Sequence, residues 1–225
     1  MIHYNYSPAQ LEKKAEELLR KFDSERLIKI KPIDVYEVIE KCLDVPYDWK
    51  YLTPDQSILG MTAFKSGYIW VWPKPFFKEG MKPFKVYLET GTIVIDSALT
   101  EYEKRGPENF TVMHEVFHQF LHKRCFAHHN PDYTHVTTRA ALNQRRKHPM
   151  SSLEICEYQA NACAAAFLMP RDLTAIILSK FIGTTAKLQL PNPKSDSIIR
   201  EMARSFSVSQ KAMRYRLLNL GLANN

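Results

Sequence analysis

The sequence predicts an α+β fold in which helices pack on a small, mostly antiparallel sheet and a helical tail follows. Three observations predict it. Apolar residues recur at helical spacing near the N-terminus and again beyond Pro107; β-branched and aromatic residues broken by Gly67, Gly80 and Gly91 fill the stretch from Met61 to about Asp96; and two short helical patterns, the second capped by Ser209, close the chain.

The first helix opens at Ser7-Pro8-Ala9-Gln10, where Ser caps, Pro takes the first helical position and Gln stands three residues after the cap. Leu11, Ala15, Leu18, Leu19 and Phe22 then form one apolar stripe, which makes this a docking helix. A second helix follows Pro32 with Ile33, Val35, Val38, Ile39 and Leu43, before Pro46 interrupts it. Strands are expected at Tyr68–Trp72, Phe84–Leu88 and Thr92–Ile95. The aromatic run Ile69-Trp70-Val71-Trp72 reads as core or sheet-face packing rather than a ligand-stacking platform. Helical spacing returns from Phe110 to His122 and from about Ser152 to Met169, where Pro170 stops it. The tail helices fall at about Asp196–Phe206 and Ser209–Leu220, with Ser209 as a cap and Gly221 as a stop.

The 225 residues are 45% hydrophobic, enough for a sizeable core without covalent staples. Cys42, Cys125, Cys156 and Cys163 contain no C-x-x-C pair, which speaks against a disulfide framework or a cysteine zinc knob and for a reducing, cytoplasmic setting. Cys156 and Cys163 read as small buried hydrophobes. The charged start around Glu12, Lys13, Lys14, Glu16 and Glu17 lacks the apolar stretch of a signal peptide, and no later run is long enough to span a bilayer. A formal charge of +7 reads as a solvated surface.

The chemistry concentrates at His114-Glu115-Val116-Phe117-His118, an H-E-x-x-H inside a helical pattern. Residues four apart share a helix face, so both imidazoles can reach one cation while Glu115 lies beside its bound water as a catalytic base. Val112, Met113, Val116, Phe117, Phe120 and Leu121 surround this trio with apolar side chains. Catalytic zinc takes a third protein ligand. The extended motif with Gly and a third His is absent, because Leu121 and Arg124 stand at those positions. Glu157 is the favoured third ligand: Asn161 lies one turn on, placed to orient a ligand histidine through its other ring nitrogen, and Glu154 is the competitor. His122 shares the motif face but lies two turns from His114, about 12 Å along the helix, too far to join the same ion. It reads as a packing or hydrogen-bonding residue. The basic segment 122–150, with His128, His129, Tyr133 and His135, is either a solvated loop or the source of an oxyanion donor.

The run Ile93-Val94-Ile95-Asp96, the block Phe110 to His118 and, above all, Glu157-Tyr158-Gln159-Ala160-Asn161 running on to Leu168-Met169-Pro170 resemble the ImmA/IrrE metallopeptidase family. The resemblance covers roughly Ile33 to Gly221. It implies a zincin-like metallopeptidase core over residues 1–190 and a helical extension over 191–225 that resembles a helix-turn-helix. It also implies Zn2+ held by His114, His118 and Glu157, with Glu115 catalytic. The protein substrate it implies is a helix-turn-helix transcriptional repressor, in a bacterial, phage or mobile-element setting. The alternative is a DNA- or partner-binding regulator with a structural or vestigial zinc site, supported by the tail and the basic segment; its second tail helix offers Lys211, Arg214 and Arg216 but no base-reading cluster.

Overall fold

In the computed structural model, which describes residues 5–74, 80–100, 104–127, 135–138, 150–183 and 186–224, the first helix begins where its capping residues place it. α1 (Pro8–Asp23) is closed by a reciprocal cap: Ser7 Oγ accepts from the Gln10 amide at 3.3 Å, and Gln10 Oε1 accepts from the Ser7 amide at 2.8 Å. Such a cap contributes about 1 kcal/mol. Leu11, Ala15, Leu18 and Leu19 are buried, and the helix packs on α5 (Ser152–Leu168). Each leucine so covered contributes about 1.5–3 kcal/mol. α2 (Val35–Val38) continues through a π turn, Ile39–Leu43.

The strands are β1 (Tyr47–Lys50), β2 (Ile58–Thr62), β3 (Gly67–Val71), β4 (Phe84–Leu88), β5 (Ile93–Asp96), β6 (His135–Thr138), and the short pair β7 (Leu188–Gln189) and β8 (Ala223–Asn224). The main sheet has the order β1-β5-β2-β6. β1 runs parallel to β5, while β2 is antiparallel to both β5 and β6. The fold is therefore α+β with a small, mostly antiparallel main sheet, and β3 and β4 form a separate antiparallel hairpin.

One expectation needs correction. The three predicted strands do not share one sheet: β5 alone enters the main sheet, with β1 and β2, which the local pattern does not mark. Both are short, β2 contains Gly60, and they are defined by pairing with β5, more than thirty residues away in the chain. The aromatic run of β3 is core on one face only, the other being sheet-face packing. Ile69 and Val71 point inward, but Tyr68 and Trp70 are 70% and 59% exposed, Tyr68 meeting Tyr87 edge-on and Trp70 lying under Lys85 of β4. Period-2 alternation puts every second residue on the solvent face, and no other layer covers that face among the described residues.

α3 (Arg105–Phe117) runs into a π turn, His118–His122, and then α4 (Lys123–Ala127). α5 lies across α3. α6 (Arg171–Ile182), unmarked in the sequence reading, follows the stop at Pro170. α7 (Pro193–Ser205) and α8 (Gln210–Asn219) form the tail, and Ile199, Met202, Phe206, Met213 and Leu217 join the same core as Leu11, Phe117 and Phe167. Arg216 is 4% exposed: its guanidinium donates to both carboxylate oxygens of Glu12 and to the Met169 carbonyl. Arg214 pairs with Asp196. The turn between the tail helices docks on the start of α3. A β-carbon on Gly106 would lie 2.7 Å from the Val208 backbone, and Asn109 Nδ2 donates to the Ser207 carbonyl at 2.9 Å.

No single helix among the described residues is long and apolar enough to cross a membrane. All four cysteines are free thiols.

Candidate metal centre

α3 and α5 bring the site together. α3 enters the core with Val112, Met113, Val116 and Phe117 fully buried, so the polar residues between them are buried as well: His114, Glu115 and His118 are each 1% exposed or less. α5 starts at a second reciprocal cap, in which the Ser151 amide and hydroxyl both donate to Glu154 Oε2, at 2.8 and 2.9 Å, and Ser151 Oγ accepts from the Glu154 amide. That cap uses Glu154 at the helix start. Glu157, one turn further, points to the histidines.

The Nε2 atoms of His114 and His118 lie 2.8 Å apart, and the two Glu157 oxygens lie 3.3 Å from them, Oε2 from His114 and Oε1 from His118. The three donors fall within 4.8 Å of one another, and this cluster could hold a metal ion. Its chemistry fits: two imidazoles and a carboxylate are the donors that catalytic zinc takes. Burial alone would lower the His114 pKa; the hydrogen bond and charge of Glu157, followed by Glu115 and Asn161, outweigh it and hold the imidazole above its usual value.

The other ring nitrogens are also held. His114 Nδ1 lies 3.0 Å from Asn161 Oδ1, the contact that the spacing on α5 anticipates. His118 Nδ1 lies 3.1 Å from His122 Nδ1, whose ring turns its Nε2 to Gln159 Oε1 at 3.0 Å. Glu115 is held by the sheet. Thr62 of β2 donates its hydroxyl to Glu115 Oε2 at 2.6 Å. Gly60, two residues earlier, admits the motif helix so closely that a β-carbon there would lie 2.9 Å from Thr111 Cγ2 and 3.0 Å from Glu115 Oε1.

The family model Peptidase_M78, the IrrE N-terminal-like domain, matches residues 69–218. The chain belongs to this IrrE N-terminal-like peptidase family. The match spans α3 and α5, and so takes in the whole His114, His118 and Glu157 cluster. No curated protein matches the chain.

Beside the family motif, the site contains residues that sequence reasoning missed. Thr62 and Gly60 lie more than fifty residues before the motif and carry no local signal. Gln159 stands inside the Glu157–Asn161 block, so its position was visible but its partner was not. Cys156 and Cys163 are fully buried thiols, as expected; burial pushes both up to about 12, and Cys163 Sγ donates to the Leu11 carbonyl. His128, His129 and Tyr133 lie outside the described residues, and His135 begins the backbone strand β6.

Proposed function

We propose that this peptidase-family chain is a zinc-dependent endopeptidase of the cytoplasm that cleaves or inactivates a helix-turn-helix transcriptional repressor. The observation that carries the reading is the convergence of His114 Nε2, His118 Nε2 and the Glu157 carboxylate, with the Glu115 carboxylate beside them in the sequence and anchored by Thr62.

His114, His118 and Glu157 would hold the zinc. When bound, the ion supplies Lewis acidity, which polarises a peptide carbonyl and makes water nucleophilic near neutral pH. Glu115 takes the proton of the attacking water on its carboxylate and returns it to the nitrogen of the leaving amine. Thr62 keeps that carboxylate in one orientation through its hydroxyl. Asn161 holds the His114 ring so that Nε2 faces Glu157 and His118. The choice of a repressor as substrate rests on the resemblance of the motif blocks to the ImmA/IrrE family.

The test compares zinc content, by elemental analysis, in wild type, His114→Ala and Glu157→Ala, together with cleavage of purified helix-turn-helix repressors. One zinc per chain in wild type, lost in both variants, and cleavage lost in a zinc-loaded Glu115→Gln protein support the reading. Cleavage retained by Glu115→Gln removes Glu115 from its role. A zinc-loaded wild type that leaves the repressor intact and functional removes the repressor as substrate.

A further inference from the structure

His122 lies outside the donor cluster, yet it is 1% exposed and has both ring nitrogens in hydrogen-bond contact. Its neighbours on that path are equally enclosed: His118 is 0% and Gln159 1% exposed. The π turn over His118–His122 widens the helix where the two imidazoles meet, their ring centres 5.2 Å apart and the planes inclined by 53°. π turns of this kind are common at functional sites.

Resting on the zinc reading above, we infer that His122 and Gln159 are positioning residues that orient the ligand His118 from behind, as Asn161 orients His114. The proton positions follow from one requirement. An ion taken at His118 Nε2 leaves the ring proton on Nδ1, so Nδ1 donates and His122 Nδ1 accepts. His122 then carries its own proton on Nε2 and donates it to Gln159 Oε1, the atom that faces it at 3.0 Å. The reverse polarity would put a proton on His118 Nε2 and block the donor. Gln159 therefore selects the tautomer of His122, and His122 selects the tautomer of His118.

The α5 helix thus supplies three functions from one turn and a half: Glu157 as a ligand, and Gln159 and Asn161 as anchors for the two histidines. A neutral imidazole behind His118 also differs from the carboxylate often found in that place. Glu157 and Glu115 already bring two negative charges to the site of a dication; a third would reduce the ion's Lewis acidity, whereas the uncharged His122–Gln159 pair fixes the ring without adding charge.

The test uses the full chain. Zinc affinity is measured by competition with a chromophoric chelator for wild type, His122→Phe, Gln159→Met and His122→Gln, and cobalt-loaded samples give the visible ligand-field spectrum. Loss of a histidine's outer partner costs about 10- to 100-fold in metal affinity. That loss is expected for His122→Phe and Gln159→Met, with an altered cobalt spectrum, while His122→Gln, whose carboxamide oxygen can still accept from His118, recovers most of the affinity. In wild type, nitrogen chemical shifts are expected to show His122 as the Nε2–H tautomer, a readout that does not depend on any variant folding. Wild-type affinity and spectrum in folded His122→Phe, or an Nδ1–H tautomer for His122, overturns the inference while leaving the zinc site standing. A wild type that binds no zinc or cobalt overturns the zinc reading and this inference with it.

Discussion

Thr62 Oγ1 and Glu115 Oε2 meet at 2.6 Å, joining the second strand of the sheet to the motif helix across 53 residues of chain. Both side chains are fully buried. The contact makes the sheet part of the site: it decides which way the Glu115 carboxylate faces, a matter that helical spacing alone leaves open.

Thr62→Val keeps the shape and removes the donor. A hydrogen bond to a charged group is worth about 1.5–3 kcal/mol, which corresponds to about a ten- to hundredfold loss in kcat if it is spent on holding the base. Zinc content is expected to stay at the wild-type level, since no ligand is touched. Steady-state cleavage with elemental analysis checks both halves, and an unchanged kcat would show that Glu115 is oriented by other contacts.

Gly60→Ala inserts a methyl group at 2.9 Å from Thr111 Cγ2 and 3.0 Å from Glu115 Oε1. Ordinarily alanine is the better residue in a strand interior. Here, overpacking is expected to cost about 1–3 kcal/mol, and to lower activity further because the displaced atom belongs to Glu115. Chemical denaturation reads the first effect; stability at or above wild type would mean that the helix can withdraw from the strand without cost.

Metal loading is expected to depend on pH with a definite sign. His114 sits above the ordinary imidazole value because Glu157 outweighs its burial, and a proton must leave before the ring can bind zinc. Affinity therefore falls as pH drops through the raised His114 value, with the loss beginning above about 6.5, the reference value for imidazole. The metal-free protein shows the opposite trend: protonated His114 stabilises it at low pH, and that contribution disappears as pH rises through the same value. Chelator competition and thermal unfolding from about pH 5 to 8 separate the two curves. Zinc affinity that begins to fall only well below about 6.5 would contradict this assignment.

Arg216→Met leaves the partly buried Glu12 with its main counter-charge gone, although Arg171 remains 3.8 Å away. Removing one partner of a buried pair costs about 3–5 kcal/mol. The double variant Arg216→Met with Glu12→Gln is expected to recover most of that loss, because the stranded charge is removed too. Urea midpoints of the two proteins decide it, and a single variant as stable as wild type would show that the tail is not anchored through this pair.

How much of this was legible in the sequence varies with the range of the interaction. Ser7 and Ser209 marked two helix starts because a cap is made with the next three residues. The cluster of His114, His118 and Glu157 was legible for the same reason: the histidines are four apart on one helix, and Glu157 carries Asn161 at the matching interval on the next. Periodicity could not place β1 and β2, whose identity as strands comes from pairing with β5, nor could it say that the face holding Tyr68 and Trp70 is left uncovered. The sequence by itself therefore determined the residue types of the candidate metal cluster, the helices that carry them and the family. Tertiary structure alone decided that Thr62 holds Glu115, that Gln159 meets His122, and that Arg216 joins the tail to the first helix. The physical reason is distance along the chain: helical spacing and capping are set by neighbours within one or two turns, whereas these hydrogen bonds exist only after long loops have closed and the core has brought remote segments within about 3 Å.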